Sequence, residues 1–145
     1  MNERKLYPAC LLIISAFLLF PVSCGKHVYE DGVYTGKSGT DDRGAWGEAV
    51  ITIKDGRIAG CQFTTLQKDG TVKGEDYGKV NGEISNQDFY NKAQLAVRAM
   101  SQYAQTLSET GDLNSVDAVS GATIAYNQFV EAVDAALSQA LEKAK

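Results

Sequence analysis

Apolar and polar positions change rhythm several times along the chain, and each rhythm predicts an element. Leu11–Phe20, "LLIISAFLLF", is an unbroken weakly polar to apolar run that follows Arg4 and Lys5. A charged start, a short apolar core and small residues after it have the form of a secretory signal peptide. The run is too short for a transmembrane helix, which needs roughly 20 apolar residues. Farther on, Ala49, Ile51 and Ile53 alternate with Val50 and Thr52, and Ile58, Cys61 and Phe63 continue the pattern beyond Asp55-Gly56. Asp-Gly supplies the positive φ angles of a type I′ turn, so residues 49–64 are predicted to form a β-hairpin. Gly60 marks a candidate bulge. An earlier strand is expected at "VYTG", and residues 67–85, with four glycines and many charges, read as loop, with room for one short strand.

The period then lengthens. Phe89, Ala93, Val97, Met100, Ala104 and Leu107 recur at helical steps, with Ser85 or Asn86 as cap and Gly111 as stop. After "SVDAVSGAT" a second stripe carries Val130, Val133, Leu137 and Leu141, with Phe129, Ala136 and Ala140 beside it. A hairpin and two amphipathic helices need one another to bury their apolar faces. The expected class is therefore α+β, a small antiparallel sheet with a hairpin at 49–64 packed with two helices.

Charge and cysteine content narrow the setting. The chain has 145 residues, enough for one domain. "PVSCG" places Cys24 as in a bacterial lipoprotein signal, where the cysteine becomes the acylated first residue, although Pro21 stands where such signals usually carry Leu. The alternative is ordinary cleavage with Cys24 unmodified. The expected organisation is a signal peptide over 1–23, a lipidated anchor and tether over 24–30, and a domain over 31–145. Acylation would tie the protein to a membrane without spanning it, outside the cytoplasm. Cys61 is then left alone, expected buried and inert, and no disulfide framework is available. Without Arg4, Lys5 and Glu3, the 14 basic and 18 acidic residues fall to 12 and 17, a net charge of −5. No basic patch favours nucleic acid as a partner. His27, the single histidine, has no companion at metal-ligand spacing and reads as a solvated tether residue, so no metal site is expected.

Candidate chemistry concentrates at Ser120, Gly121, Ala122 and Thr123. These small residues, two of them hydroxylic, precede the second helix, where unpaired backbone N–H groups and the helix dipole favour an anion. Two readings stand at this level. Ser120 or Thr123 caps the helix and does nothing more, or the amides hold a phosphate.

"DAVSGAT", Asp117–Thr123, resembles the flavinylation motif of the FMN-binding domain family. That family includes the C subunit of the sodium-pumping NADH:quinone oxidoreductase, the G subunit of the related Rnf complex and small extracytoplasmic lipoproteins. Its motif runs Asp, two variable residues, Ser or Thr, Gly, Ala, then Thr or Ser, and the last hydroxyl carries FMN through a phosphodiester. Every position is met here; where a further Ser or Thr often follows, this chain has Ala125. "DGVYTGKS" and "GEAVITIKDGRIAGCQF" are similar to the family's opening strand and hairpin, so the resemblance runs from Asp31 onward. It implies FMN on Thr123, with Ser120, Gly121 and Ala122 shaping the turn. Asp117 would either be read by a separate flavin transferase or brace the turn.

No nucleophile–base pair or dinucleotide fingerprint accompanies the motif. That favours an electron carrier, working between membrane or extracytoplasmic redox proteins, over a stand-alone enzyme. Trp46, Tyr77 and Tyr126 are the candidates to stack on the flavin ring. The competing reading is a non-redox surface lipoprotein or binding module in which "SGAT" is only a cap.

Overall fold

A computed structural model describes residues 29–144. The expected signal peptide, Cys24 and His27 lie outside the described residues. Three strands, β1 (Gly32–Lys37), β2 (Trp46–Lys54) and β3 (Arg57–Leu66), form one antiparallel sheet in the order β1-β2-β3. Two helices follow, α1 (Gln87–Thr110) and α2 (Thr123–Lys143), with a single 3-10 turn at Leu113–Ser115 between them. The protein is α+β. Its hairpin turns at Asp55-Gly56, with φ of 53° and 69°, the paired positive angles that a type I′ turn requires. The Asp31 carboxylate accepts the N–H groups of Asp55 and Gly56 at 3.0 and 2.8 Å, tying the start of β1 to that turn.

Period-two alternation decides which side of the sheet is covered. Gly47, Ala49, Ile51 and Ile53 of β2 are buried beneath the helices, while the residues between them face the other way. The ladder pairs Ile53 with Ile58 but Thr52 with Gly60. Ala59 is therefore the extra residue of a bulge, beside the glycine where the sequence suggested one. This slip of one residue lets Ile58, Cys61 and Phe63 all reach the helix side. Cys61 is half-buried rather than buried as expected, and this burial pushes its thiol up to about 12, so almost no thiolate exists at neutral pH.

Helix α1 starts where Asn86 accepts the Phe89 N–H at 2.9 Å, and stops at Gly111, whose left-handed φ of 66° lets its N–H bond to the Leu107 carbonyl. Its buried face carries Ala93, Met100, Ala104 and Leu107, together with Ala99 and Tyr103. Phe89, expected in the core, is instead 42% exposed in the first turn of α1, where its ring meets Tyr77 at a centroid distance of 6.4 Å.

Helix α2 lies over β1 and β2, and α1 over β3. The buried face of α2 is rotated from the expected stripe toward Ala125, Phe129, Ala132, Ala136 and Ala140, leaving Val130 half-buried and Leu141 exposed. The reason is how closely α2 approaches β1. A Cβ on Gly36 would lie 2.0 Å from the Ala132 carbonyl oxygen, so only small residues fit that seam. Phe129 fills the space between the layers, with ring centroids 5.1 Å from Phe63 and 5.5 Å from Tyr103. Among the described residues no helix is long and apolar enough to cross a membrane, and no cluster of metal-ligating side chains occurs.

Candidate functional site

The segment from Val116 to Thr123 crosses from one helix to the other, and two tyrosines hold it. Val119 N–H donates to Tyr103 Oη of α1 at 3.0 Å, and Tyr126 Oη of α2 donates to the Val116 carbonyl at 3.1 Å. The two rings meet edge to face at 5.5 Å. Val116, 3% exposed, anchors the segment in the core. The chain then turns tightly. Ala122 N–H bonds back to the Val119 carbonyl at 2.9 Å, and Gly121, at φ 85°, supplies the left-handed residue such a turn needs. Replacing Tyr126 by Phe keeps the ring and removes the donor to Val116. We expect a loss of about 1 kcal/mol, read as a fall of about 3–6 °C in melting midpoint. An unchanged midpoint would show that the bond contributes nothing.

Helix α2 begins at Thr123 with Ala122 in the cap position and no side-chain cap. This corrects the capping expectation: neither Ser120 nor Thr123 caps the helix, because the turn carries Ser120 outward and leaves Thr123 already inside the first helical turn. The first hydrogen bond of the helix is from Tyr126 N–H to the Ala122 carbonyl. Among the described residues the amides of Thr123, Ile124 and Ala125 have no acceptor. Asp117, Ser120 and Thr123 are exposed, and their side chains make no hydrogen bond among the described residues. Asp117 therefore does not brace the turn through its carboxylate.

These amides open onto a cleft of about 880 Å³. Ala93, Ala96, Val97 and Met100 of α1 give one apolar wall, and Gly121, Ala122, Thr123 and Ala125 give the facing one. Tyr77 and Phe89, with ring centroids 6.4 Å apart, line it from the loop side. The loop is held in place by Gln94, whose Nε2 donates toward the carbonyls of Gly74, Glu75 and Tyr77 at 2.9–3.2 Å. Lys73 enters beside Tyr77, its ammonium 5.1 Å from the ring centroid and 3.8 Å from Asp41. Burial, helped by the nearby charge of Arg43, draws the Lys73 ammonium below the usual lysine range against the pull of Asp41. Lys73 and Tyr77 also line a neighbouring hollow of about 480 Å³ with Arg43 and Lys68.

Of the residues singled out from the sequence, Gly121, Ala122, Thr123 and Tyr77 come together in the cleft. Trp46 and Tyr126 do not line it. Trp46 stands on the strand face turned away from the helices, its Nε1 buried without a partner among the described residues. Tyr126 is spent on Val116 and Tyr103. Sequence reasoning missed Thr65, Lys73, Met100 and Gln128, which line the cleft as well. Gln128 had a local signal, a polar side chain on the otherwise apolar face made by Ala125, Phe129 and Ala132. Lys73 had none, because nothing near it in the sequence says that its loop folds back over α1.

The residues present fit a phosphate-bearing planar cofactor. The volume falls within the range of ligand sites, the bare helix start suits a phosphate, and an unpartnered Gln128 Oε1 borders the cleft. The fold and site together define a small α+β domain with a cleft of cofactor size. The profile of the FMN-binding domain matches residues 44–138, and the chain belongs to that family, for which FMN is the implied cofactor. A crystal structure of a structural-genomics protein from Clostridium perfringens is similar in fold, with a TM-score of 0.61 at 22% identity, covering 79% of this chain and 91% of that one. A search of curated proteins finds no significant match.

Proposed function

We propose that this protein carries FMN covalently, as a phosphodiester on Thr123, and relays electrons between redox proteins outside the cytoplasmic membrane of a bacterium. One observation carries the reading: an exposed threonine hydroxyl stands on an uncapped helix N-terminus that opens into a cleft large enough for a flavin ring. The free amides at the start of α2 would hold the phosphate, the cleft walls the ring. FMN supplies the electron chemistry when bound, and the chain supplies attachment, orientation and shielding from water. No base contacts the Thr123 hydroxyl among the described residues, and an unassisted hydroxyl is a poor nucleophile. Activation therefore falls to a separate flavin transferase, for which the exposed Asp117 is an available recognition point.

The direct test is the intact mass of the mature protein, with and without an active transferase, FAD and a divalent metal ion. A gain of one FMN less one water, retained on denaturation, supports the reading. A protein that never labels while a control substrate does would overturn it.

The anchor is part of the same proposal. Glu30, where the expected tether ends, donates its N–H to the Ala140 carbonyl at 3.2 Å. The tether thus joins the domain at the C-terminal end of α2, about 25 Å along the helix from Thr123. An anchor on that tether would leave the cleft at the far end of α2, open to partners. Cys24→Ser should move the protein from the membrane fraction to the soluble fraction. A variant still in the membrane fraction would contradict lipidation at Cys24.

A further inference from the structure

Two polar residues at the floor of the cleft have hydrogen-bonding capacity that the chain does not use. Gln128 is 5% exposed and Thr65 is 1% exposed. Gln128 Nε2 donates to the Ala45 carbonyl at 2.9 Å, and since that carbonyl can only accept, the amide orientation is fixed. Its Oε1 is left buried with no donor among the described residues, an arrangement that is uncommon in folded proteins and leaves an acceptor for a water or a ligand to fill. The Thr65 hydroxyl donates at 2.8 Å to Met100 Sδ, a thioether and so a weak acceptor. All three residues line the cleft. At the exposed rim Phe89 and Ile124, 42% and 62% exposed, stand among the polar side chains of Asp42, Arg43, Lys92 and Asn127.

We propose that Gln128 and Thr65 form a polar receptor for the pyrimidine edge of the isoalloxazine, leaving its dimethylbenzene edge at the mouth beside Phe89 and Ile124. The inference rests on the reading above that FMN occupies this cleft. The pyrimidine edge presents a carbonyl, N3–H and a second carbonyl; the benzenoid edge presents two methyl groups. N3–H is the one N–H donor of the oxidised ring, and Gln128 Oε1 is the acceptor that lacks a donor. The Thr65 hydroxyl turns from the thioether to a ring carbonyl, a better acceptor. Inserted the other way, the ring would leave Oε1 unpaired and set methyl groups against it. Because Oε1 is closed to water, loading must part the floor side chains slightly to admit the ring.

The test is made on transferase-loaded protein carrying 15N- and 13C-labelled FMN. Covalent loading is scored first by intact mass, and exchange is then read on the loaded fraction of wild type, Gln128→Leu and Thr65→Val. In wild type the N3–H resonance should exchange with solvent at least about tenfold more slowly than in free FMN. Gln128→Leu should restore fast exchange, whereas Thr65→Val should keep the protection and shift a ring carbonyl resonance. A soluble paramagnetic probe should broaden the ring methyl resonances before N3–H. Protein that loads but shows unprotected N3–H, or protection unaffected by Gln128→Leu, overturns the inference while leaving FMN attachment intact. Absence of loading in wild type overturns the attachment reading instead. Should Gln128→Leu fail to fold, wild-type exchange and the order of broadening still decide.

Discussion

Thr123→Ala should give a folded protein that carries no covalent flavin. The loss is expected to be complete, because the phosphodiester needs an oxygen at that position. The fold should be nearly unaffected for reasons visible in the structure. Thr123 is exposed, its hydroxyl makes no hydrogen bond among the described residues, and the cap position belongs to Ala122, so no cap bond is lost. Alanine is also the better helix former, and the stability change should stay within about 0.5 kcal/mol. Thr123→Ser should label, since the hydroxyl survives. Ser120→Ala should reduce labelling less, since Ser120 is turned outward and makes no bond that the turn depends on. Intact mass and peptide mapping read the adduct, and circular dichroism shows that a blank variant is folded. A Thr123→Ala protein that stays yellow through denaturation would move the attachment elsewhere.

The largest effect on stability is expected at Gly36. A Cβ there would sit 2.0 Å from the Ala132 carbonyl oxygen and 2.4 Å from the Ala136 amide nitrogen. Both are backbone atoms of α2, so no side chain can swing aside, and the helix itself must lift from β1. Overpacking of a core commonly costs 1–3 kcal/mol, and a backbone clash belongs at the upper end. Gly36→Ala should therefore cost about 3 kcal/mol or more. Set against the roughly 5–15 kcal/mol that holds a domain together, this is a substantial share. Gly60→Ala is the control. The nearest atom to its added Cβ is Thr52 Cβ at 3.8 Å, ordinary contact, and the change should be within about 0.5 kcal/mol. Urea unfolding of flavin-free protein measures both. Equal midpoints would mean that α2 does not rest on β1 as described.

The hairpin was legible because its causes are local. Asp55 and Gly56 are residue types that tolerate positive φ, and alternation on either side fixes the buried face. The ends of α1 were legible for the same reason, since Asn86 and Gly111 act on backbone groups within four residues. Thr123 too could be placed at a helix start from spacing alone. What spacing could not give was the state of that start. Whether a serine caps a helix depends on the turn that aims it, and the Tyr103 and Tyr126 contacts that set this segment come from both helices.

The sequence by itself thus determined the fold class, the hairpin, the existence of two amphipathic helices and the place of Thr123 at the start of the second one. Each follows from periodicity or from the conformational preference of one or two residues, which act over a turn or less. Tertiary structure alone decided the rest. It selected the small-residue face of α2, because only the approach of β1 at Gly36 makes bulk intolerable there. It removed Trp46 and Tyr126 from the cleft and brought in Lys73, Met100 and Thr65. It also set Gln128 against Ala45, a partner 83 positions away. Contacts across such separations arise from how the layers stack, and no pattern of nearest neighbours in the chain encodes them.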